Sequence, residues 1–94
     1  MSKEIWKTLG RKGYLERNIE ILEFCLRPQV KTEIIHHLGD TDLLVTETLN
    51  SLVSKGYLVC NKSNENTNYR VRYHTTRGGM LLLAKWKQLM EAFK

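Results

Sequence analysis

Apolar residues recur at helical spacing in four stretches of this chain and alternate in a fifth. From Tyr14 to Arg27, Leu15, Ile19, Leu22 and Leu26 fall at i, i+4, i+7 and i+11 and predict one buried helix face. Tyr14, Ile21 and Cys25 flank that face, and Glu16, Arg17, Glu20, Glu23 and Arg27 lie opposite. Pro28 closes this helix, because its ring favours an extended preceding residue. A second, short helix is predicted from Val30 to Leu38, with Ile34, Ile35 and Leu38 as its apolar side and Thr32 as a cap near its start. Gly39 stands where a left-handed residue ends a helix. Asp40-Thr41-Asp42 then supplies cap chemistry for a third helix to about Lys55, whose buried stripe is Val45, Leu49, Leu52 and Val53. Gly56 ends it.

Beyond Gly56, residues 57–62 read as a strand and residues 63–68 as a polar turn. The next strand alternates, with Tyr69, Val71 and Tyr73 on one side and Arg70, Arg72 and His74 on the other. Thr75-Thr76 caps a last helix running to Phe93, in which Leu82, Trp86, Leu89 and Phe93 form a stripe with Leu83 and Met90 beside it. That stripe is bulky for the terminal helix of so small a core. It packs either on its own domain or, as expected here, against a second copy of the chain. The predicted organisation is a basic arm or short helix over residues 1–13, a domain over residues 14–76 and a dimerisation helix over residues 77–94. Phe24 sits among charges on the first helix, either as a scattered apolar residue or as a further partner contact.

Charge changes this picture. The 94 residues carry a formal net charge of +5, and the positive charge is unevenly placed. Residues 55–94 hold eight Lys or Arg against two acids, whereas residues 1–54 hold seven against eight. Basic character therefore gathers in the hairpin, the last helix and the first 13 residues, which suits a polyanionic partner. The third helix is the exception: from Asp40 to Ser54 there are three acids and no Lys or Arg. No apolar run is long enough to span a bilayer, and the first residues lack the apolar core of a secretory signal, so a cytoplasmic location without membrane association is expected.

The order helix, helix, turn, helix, strand, wing, strand, helix looks like a winged helix-turn-helix, an α+β fold with three helices, a two-stranded hairpin wing and here a long C-terminal helix. Val45-Thr46-Glu47-Thr48-Leu49-Asn50-Ser51-Leu52, followed by Lys55-Gly56-Tyr57-Leu58-Val59, resembles the pattern of MarR- and PadR-like regulators. Thr75-Thr76-Arg77-Gly78 with Leu81-Leu82 resembles the T-x-x-G-x-x-L-L that opens their last helix. Ile19-Glu20-Ile21-Leu22 with Lys31-Thr32-Glu33-Ile34 is most similar to small archaeal winged-helix proteins, a group that includes chromatin-type DNA binders dimerising through a long C-terminal helix. The resemblance covers residues 14–93. It implies a recognition helix presenting Leu43, Thr46, Glu47, Asn50 and Ser51, phosphate contacts from Lys31 and Thr32, and wing contacts from Lys62, Asn64, Arg70 and Arg72. It also implies a homodimer, for which Phe24, Leu82, Trp86, Leu89, Met90 and Phe93 are the candidate interface.

The function expected is duplex DNA binding by a transcriptional regulator or a chromatin-type architectural protein, with affinity coming mainly from phosphate contacts. Asn50 suits adenine, Glu47 a cytosine amino group and Leu43 a thymine methyl. The alternative is a protein-interaction module that turns its acidic third helix to a protein partner. Neither an enzyme nor a cofactor is expected, since no Gly-rich phosphate loop, nucleophile elbow or paired-carboxylate site is visible. His36 and His37 are adjacent and point ~100° apart on a helix, which does not make a metal pair. Cys25 and Cys60 lack metal-ligand spacing and read as thiols in a reducing compartment, with an intermolecular disulfide or a redox role as the alternative.

Overall fold

The computed structural model describes residues 13–63 and 70–93. Its elements follow in the order α1 (Tyr14–Phe24), β1 (Gln29–Val30), α2 (Lys31–Leu38), α3 (Asp42–Ser54), β2 (Leu58–Ser63), β3 (Arg70–Thr75) and α4 (Arg77–Glu91). This is a winged-helix-like α+β arrangement. Both glycines expected to end helices do so in the left-handed region, Gly39 at φ 72° and Gly56 at φ 83°. The tight turn at Gly39 lets α2 and α3 follow one another closely, and Thr41 caps α3 by accepting from the Leu44 amide at 3.3 Å. Thr32 does not cap α2. Val30 holds that position with extended backbone and no side-chain bond, and Thr32 lies exposed inside the first turn.

The sheet has three strands in the order β1-β3-β2, not the two of the expected wing. Gln29 pairs with Tyr73 and Val30 with Arg72, both antiparallel. Pro28 explains the difference, because the chain leaving α1 is forced into extended backbone and meets the open edge of β3. Two residues are too few to print an alternating pattern, so Val30 read as helix.

The buried face of α1 is rotated from the predicted one. Ile19, Ile21, Leu22 and Cys25 are buried, while Leu15 is 48 % and Leu26 43 % exposed. Arg17, placed on the polar side by periodicity, is buried as well, and so is Asn18. The reason is position: α1 is packed by α2, α3, α4 and β3 at once, so its buried arc is wide. Arg17 is accommodated by an ion pair, Nε to Asp40 Oδ2 at 2.8 Å, whose side chains are only 8 % and 13 % exposed. The pair ties α1 to the turn between α2 and α3. The helix also stops at Phe24, three residues before the expected end, with the Cys25 amide bonding back to the Ile21 carbonyl at 2.9 Å.

Ile21, Leu22, Ile34, Val45 and Leu49 are fully buried at the centre, where each such side chain contributes about 1.5–3 kcal/mol over the exposed state. Leu38, Leu52, Leu58 and Leu83 complete the core. Only the start of α4 joins it. Gly79 and Leu83 are buried and Leu82 and Trp86 partly so, but from Lys87 to Phe93 every residue is exposed.

Gly79 is where α4 meets the body. A Cβ there would collide with the Tyr57 carbonyl oxygen, would lie 2.6 Å from Thr75 Cγ2 and 3.3 Å from Leu22 Cδ2. Gly78, the glycine singled out by the T-x-x-G pattern, has only ordinary contacts at 3.5 Å and beyond. Since the blocking atom at Gly79 is backbone, Gly79→Ala should cost about 3 kcal/mol, the upper end for overpacking, and Gly78→Ala should be near neutral. Urea unfolding followed by circular dichroism tests the contrast.

Candidate nucleic-acid interface

The start of α2 touches the first turns of α3 and adjoins β3. On α3, Leu43, Glu47 and Asn50 are exposed along one stripe, Leu43 to 69 %. Beside it lies Lys31, at the first position of α2. Its Nζ is 3.2 Å from Thr46 Oγ1 and 3.3 Å from Asp42 Oδ1, and Thr46 in turn donates to Asp42 Oδ1 at 2.9 Å. The three residues form a clip joining α2 to α3. Behind Lys31, a shallow cavity of about 280 Å³ is lined by Val30, Lys31, Thr32 and Val71, so the start of α2 adjoins β3.

The clip sets local electrostatics. The Thr46 hydroxyl, then the bond and charge of Lys31, hold the Asp42 carboxyl below the usual carboxylate range. A depressed carboxyl pKa favours the charged form, so the clip is formed at neutral pH and is lost as pH falls through the lowered value. Asp40, the other acid of the turn, is occupied by Arg17.

The expected residues are not all brought together. Lys31, Thr32 and Thr46 cluster around the clip and cavity. Ser51 turns instead toward Tyr14, whose phenol sits below its ordinary value because the Ser51 side chain, then Lys55, hydrogen-bond at its oxygen. On the hairpin, Arg72 pairs with Asn61 and Lys62 with Val71. Paired residues share a sheet face, so Lys62 lies on the Val71–Tyr73 face and Arg72 on the opposite one. Arg70 opens the same strand, two positions before Arg72. Asn64 and the basic first residues lie outside the described residues.

The apolar candidates divide similarly. Phe24 stacks on His37 with ring centroids 4.1 Å apart and planes 8° from parallel, so α2 provides it an aromatic partner. His37 Nε2 also lies 4.0 Å from Glu20. Leu82 and Trp86 are half-buried against the core. Leu89 and Met90 are exposed at the end of α4, which stops at Glu91 and not at the expected Phe93, and Phe93 just beyond it is 79 % exposed.

No family model matches this sequence, and none of the curated proteins matches it either. Residues that periodicity did not single out prove central to the site: Arg17, Asp40 and Asp42. Lys31 and Asp42 stand 11 positions apart on different helices, and no local pattern marks such a pair.

The cysteines are free thiols, Cys25 buried and Cys60 half-buried. Burial pushes the Cys25 thiol up to about 12. Among the described residues, no group of three or more His, Cys, Asp or Glu is gathered as a metal site. Because the thiolate is the reactive form, iodoacetamide at pH 8 should label Cys60 and spare Cys25 until urea is added, as read by intact mass. The raised Cys25 value also stabilises the fold below the ordinary thiol range, a contribution that fades as pH climbs from about 9 toward about 12.

Proposed function

We propose that this chain binds duplex DNA as a homodimer, as a transcriptional regulator or a sequence-tolerant chromatin-type protein. The observation that supports the reading is that Lys31, at the start of α2, contacts the first turns of α3 and adjoins β3 in a winged-helix-like body. A helix of this kind enters the major groove while the hairpin follows the backbone. Leu43, Glu47 and Asn50 are chemically suited to thymine methyl, cytosine amino and adenine edges. The resemblance of residues 14–93 to small archaeal winged-helix proteins, with their MarR- and PadR-like motif spacing, supports the same reading. Most of the affinity comes from phosphate contacts by the hairpin, because α3 has no Lys or Arg of its own. No catalytic role is assigned to any residue.

A second reading is favoured by the same acidity. Asp42 is bonded to the nearest Lys, and Glu47 is exposed, so α3 also suits a basic protein surface. In that reading the winged-helix body is an interaction module.

Fluorescence anisotropy with a labelled random duplex separates the two. Salt-sensitive binding is expected, and Arg70→Ala with Arg72→Ala should reduce the slope of log K against log salt by ~1.8 for each wing in the complex, about 0.9 for each phosphate that is no longer neutralised. Absence of binding at low salt would transfer the assignment to the protein-interaction reading. An unchanged slope would remove the wing from the mechanism.

The dimer is assigned to the outer half of α4, where Leu89, Met90 and Phe93 are exposed together. Leu89→Glu with Phe93→Glu should halve the mass measured by sedimentation equilibrium and leave the circular dichroism of the body intact. A wild-type mass of one chain would sink this assignment.

A further inference from the structure

We infer that Asp42 is an intramolecular competitor for DNA phosphate, which withholds Lys31 from the backbone and so limits the affinity of the helix-turn-helix. The inference rests on the DNA-binding reading and adds to it a residue that sets binding strength without touching DNA.

The geometry is specific. Lys31 stands at the start of α2, beside Thr32 and the cavity that reaches β3. That is where a phosphate running between the helices and the wing would pass. Yet the Lys31 ammonium already has an anionic partner, Asp42 Oδ1 at 3.3 Å, and a hydroxyl partner, Thr46 Oγ1 at 3.2 Å. Thr46 fixes the carboxylate from the other side at 2.9 Å, so Asp42 is held toward Lys31 by two donors. Asp40 does not share this role, since Arg17 engages it in the buried turn.

The energetic consequence follows from exposure. The Lys31 side chain is 38 % and that of Asp42 69 % exposed, so water screens the pair and its net strength is small. A DNA phosphate can therefore displace Asp42. The exchange swaps one anion for another on the same ammonium and leaves a bare carboxylate facing the polyanion. Lys31 thus contributes little net counterion release, although it sits at a phosphate-contact position. The acidic character of α3 becomes, in this view, a limit on non-specific attraction, leaving the apolar and polar groups Leu43, Glu47 and Asn50 as the exposed stripe.

The test is the salt dependence of DNA binding by Asp42→Asn, measured with the full chain and a random duplex. Asparagine keeps an oxygen for the Thr46 hydroxyl, and Asp42→Ser provides a second variant with the same expectation should the first fold poorly. Freed Lys31 should steepen the slope of log K against log salt by about 0.9 for each Lys31 in the complex. The affinity ratio of variant to wild type should then grow about threefold for each Lys31 when salt falls from about 0.2 M to about 0.05 M. In a Lys31→Met background, Asp42→Asn should leave the slope unchanged. An equal steepening in that background would mean that Asp42 acts as a distant charge only, and would overturn the inference. So would an unchanged slope in a variant that binds DNA as the wild type does. If neither protein binds DNA at low salt, the DNA reading falls and this inference falls with it.

Discussion

The end of β3 holds this fold together. In two residues, Thr75 and Thr76, the chain closes five hydrogen bonds. The Thr75 hydroxyl donates to the Leu22 carbonyl at 2.7 Å and its amide to the Cys25 carbonyl at 2.9 Å, satisfying groups that the C-terminal turn of α1 would otherwise leave open. The Thr76 amide bonds the Tyr57 carbonyl at 3.0 Å, and its hydroxyl donates to the Gly56 carbonyl at 2.6 Å, where α3 gives way to β2. The same hydroxyl accepts from the Gly79 amide at 3.2 Å and so starts α4. Because Thr75 is almost wholly buried, its hydroxyl bond to the Leu22 carbonyl forms in a low-dielectric setting where a missing partner costs the full desolvation of the other. Only a glycine at position 79 lets α4 approach that junction. The angle at which α4 leaves the body, and so the place where its outer apolar residues are presented, is fixed here.

Much of this was readable in the residues. Gly39 and Gly56 punctuate the helices as their chemistry requires, and the core of α3, Val45, Leu49 and Leu52, follows its period. The failures share one cause: tertiary position overrode a local pattern. Leu15 and Leu26 lie on the ideal stripe of α1 but beyond the elements that cover its middle. Arg17 is buried because Asp40, 23 positions later, supplies its counter-charge. The strand Gln29–Val30 is created by the open edge of β3, which is distant in sequence. The T-x-x-G pattern was visible as a helix opening. The glycine demanding absence of a side chain is Gly79, however, one residue after the one the pattern picked, and only the approach of Tyr57 and Leu22 reveals it.

The candidate site was legible in its outline and not in its electrostatics. Counting charges along α3 marks it as acidic, but counting cannot say which acids are spent. Asp40 is consumed by Arg17 and Asp42 by Lys31, so two of the three acids serve to fix the turn and the α2–α3 junction. Only Glu47 remains among the exposed stripe. The same accounting lowers the effective positive charge, since Arg17 and Lys31 are the cations these acids engage. Lys62 and Arg72, grouped by sequence as one basic wing, are separated by strand register onto opposite faces.

These features constrain one another on the proposed reading. Among the described side chains of the hairpin, a single unit brings two exposed cations to DNA, Lys62 and Arg72, on opposite faces of the sheet. Phosphate contacts add roughly linearly to the salt-dependent part of the binding free energy, so a unit with few of them binds weakly alone. Pairing two units through α4 does more than double the count. Once one unit is bound, the second binds intramolecularly, and its effective concentration depends on the stiffness of the link. A helix seated at Gly79 by five hydrogen bonds around Thr75 and Thr76 is a stiff link. On the proposed reading, the weak charge of α3 and the hydrogen-bonded seat of the last helix are therefore complementary: the first calls for a second unit, and the second would hold the pair at a fixed separation of sites.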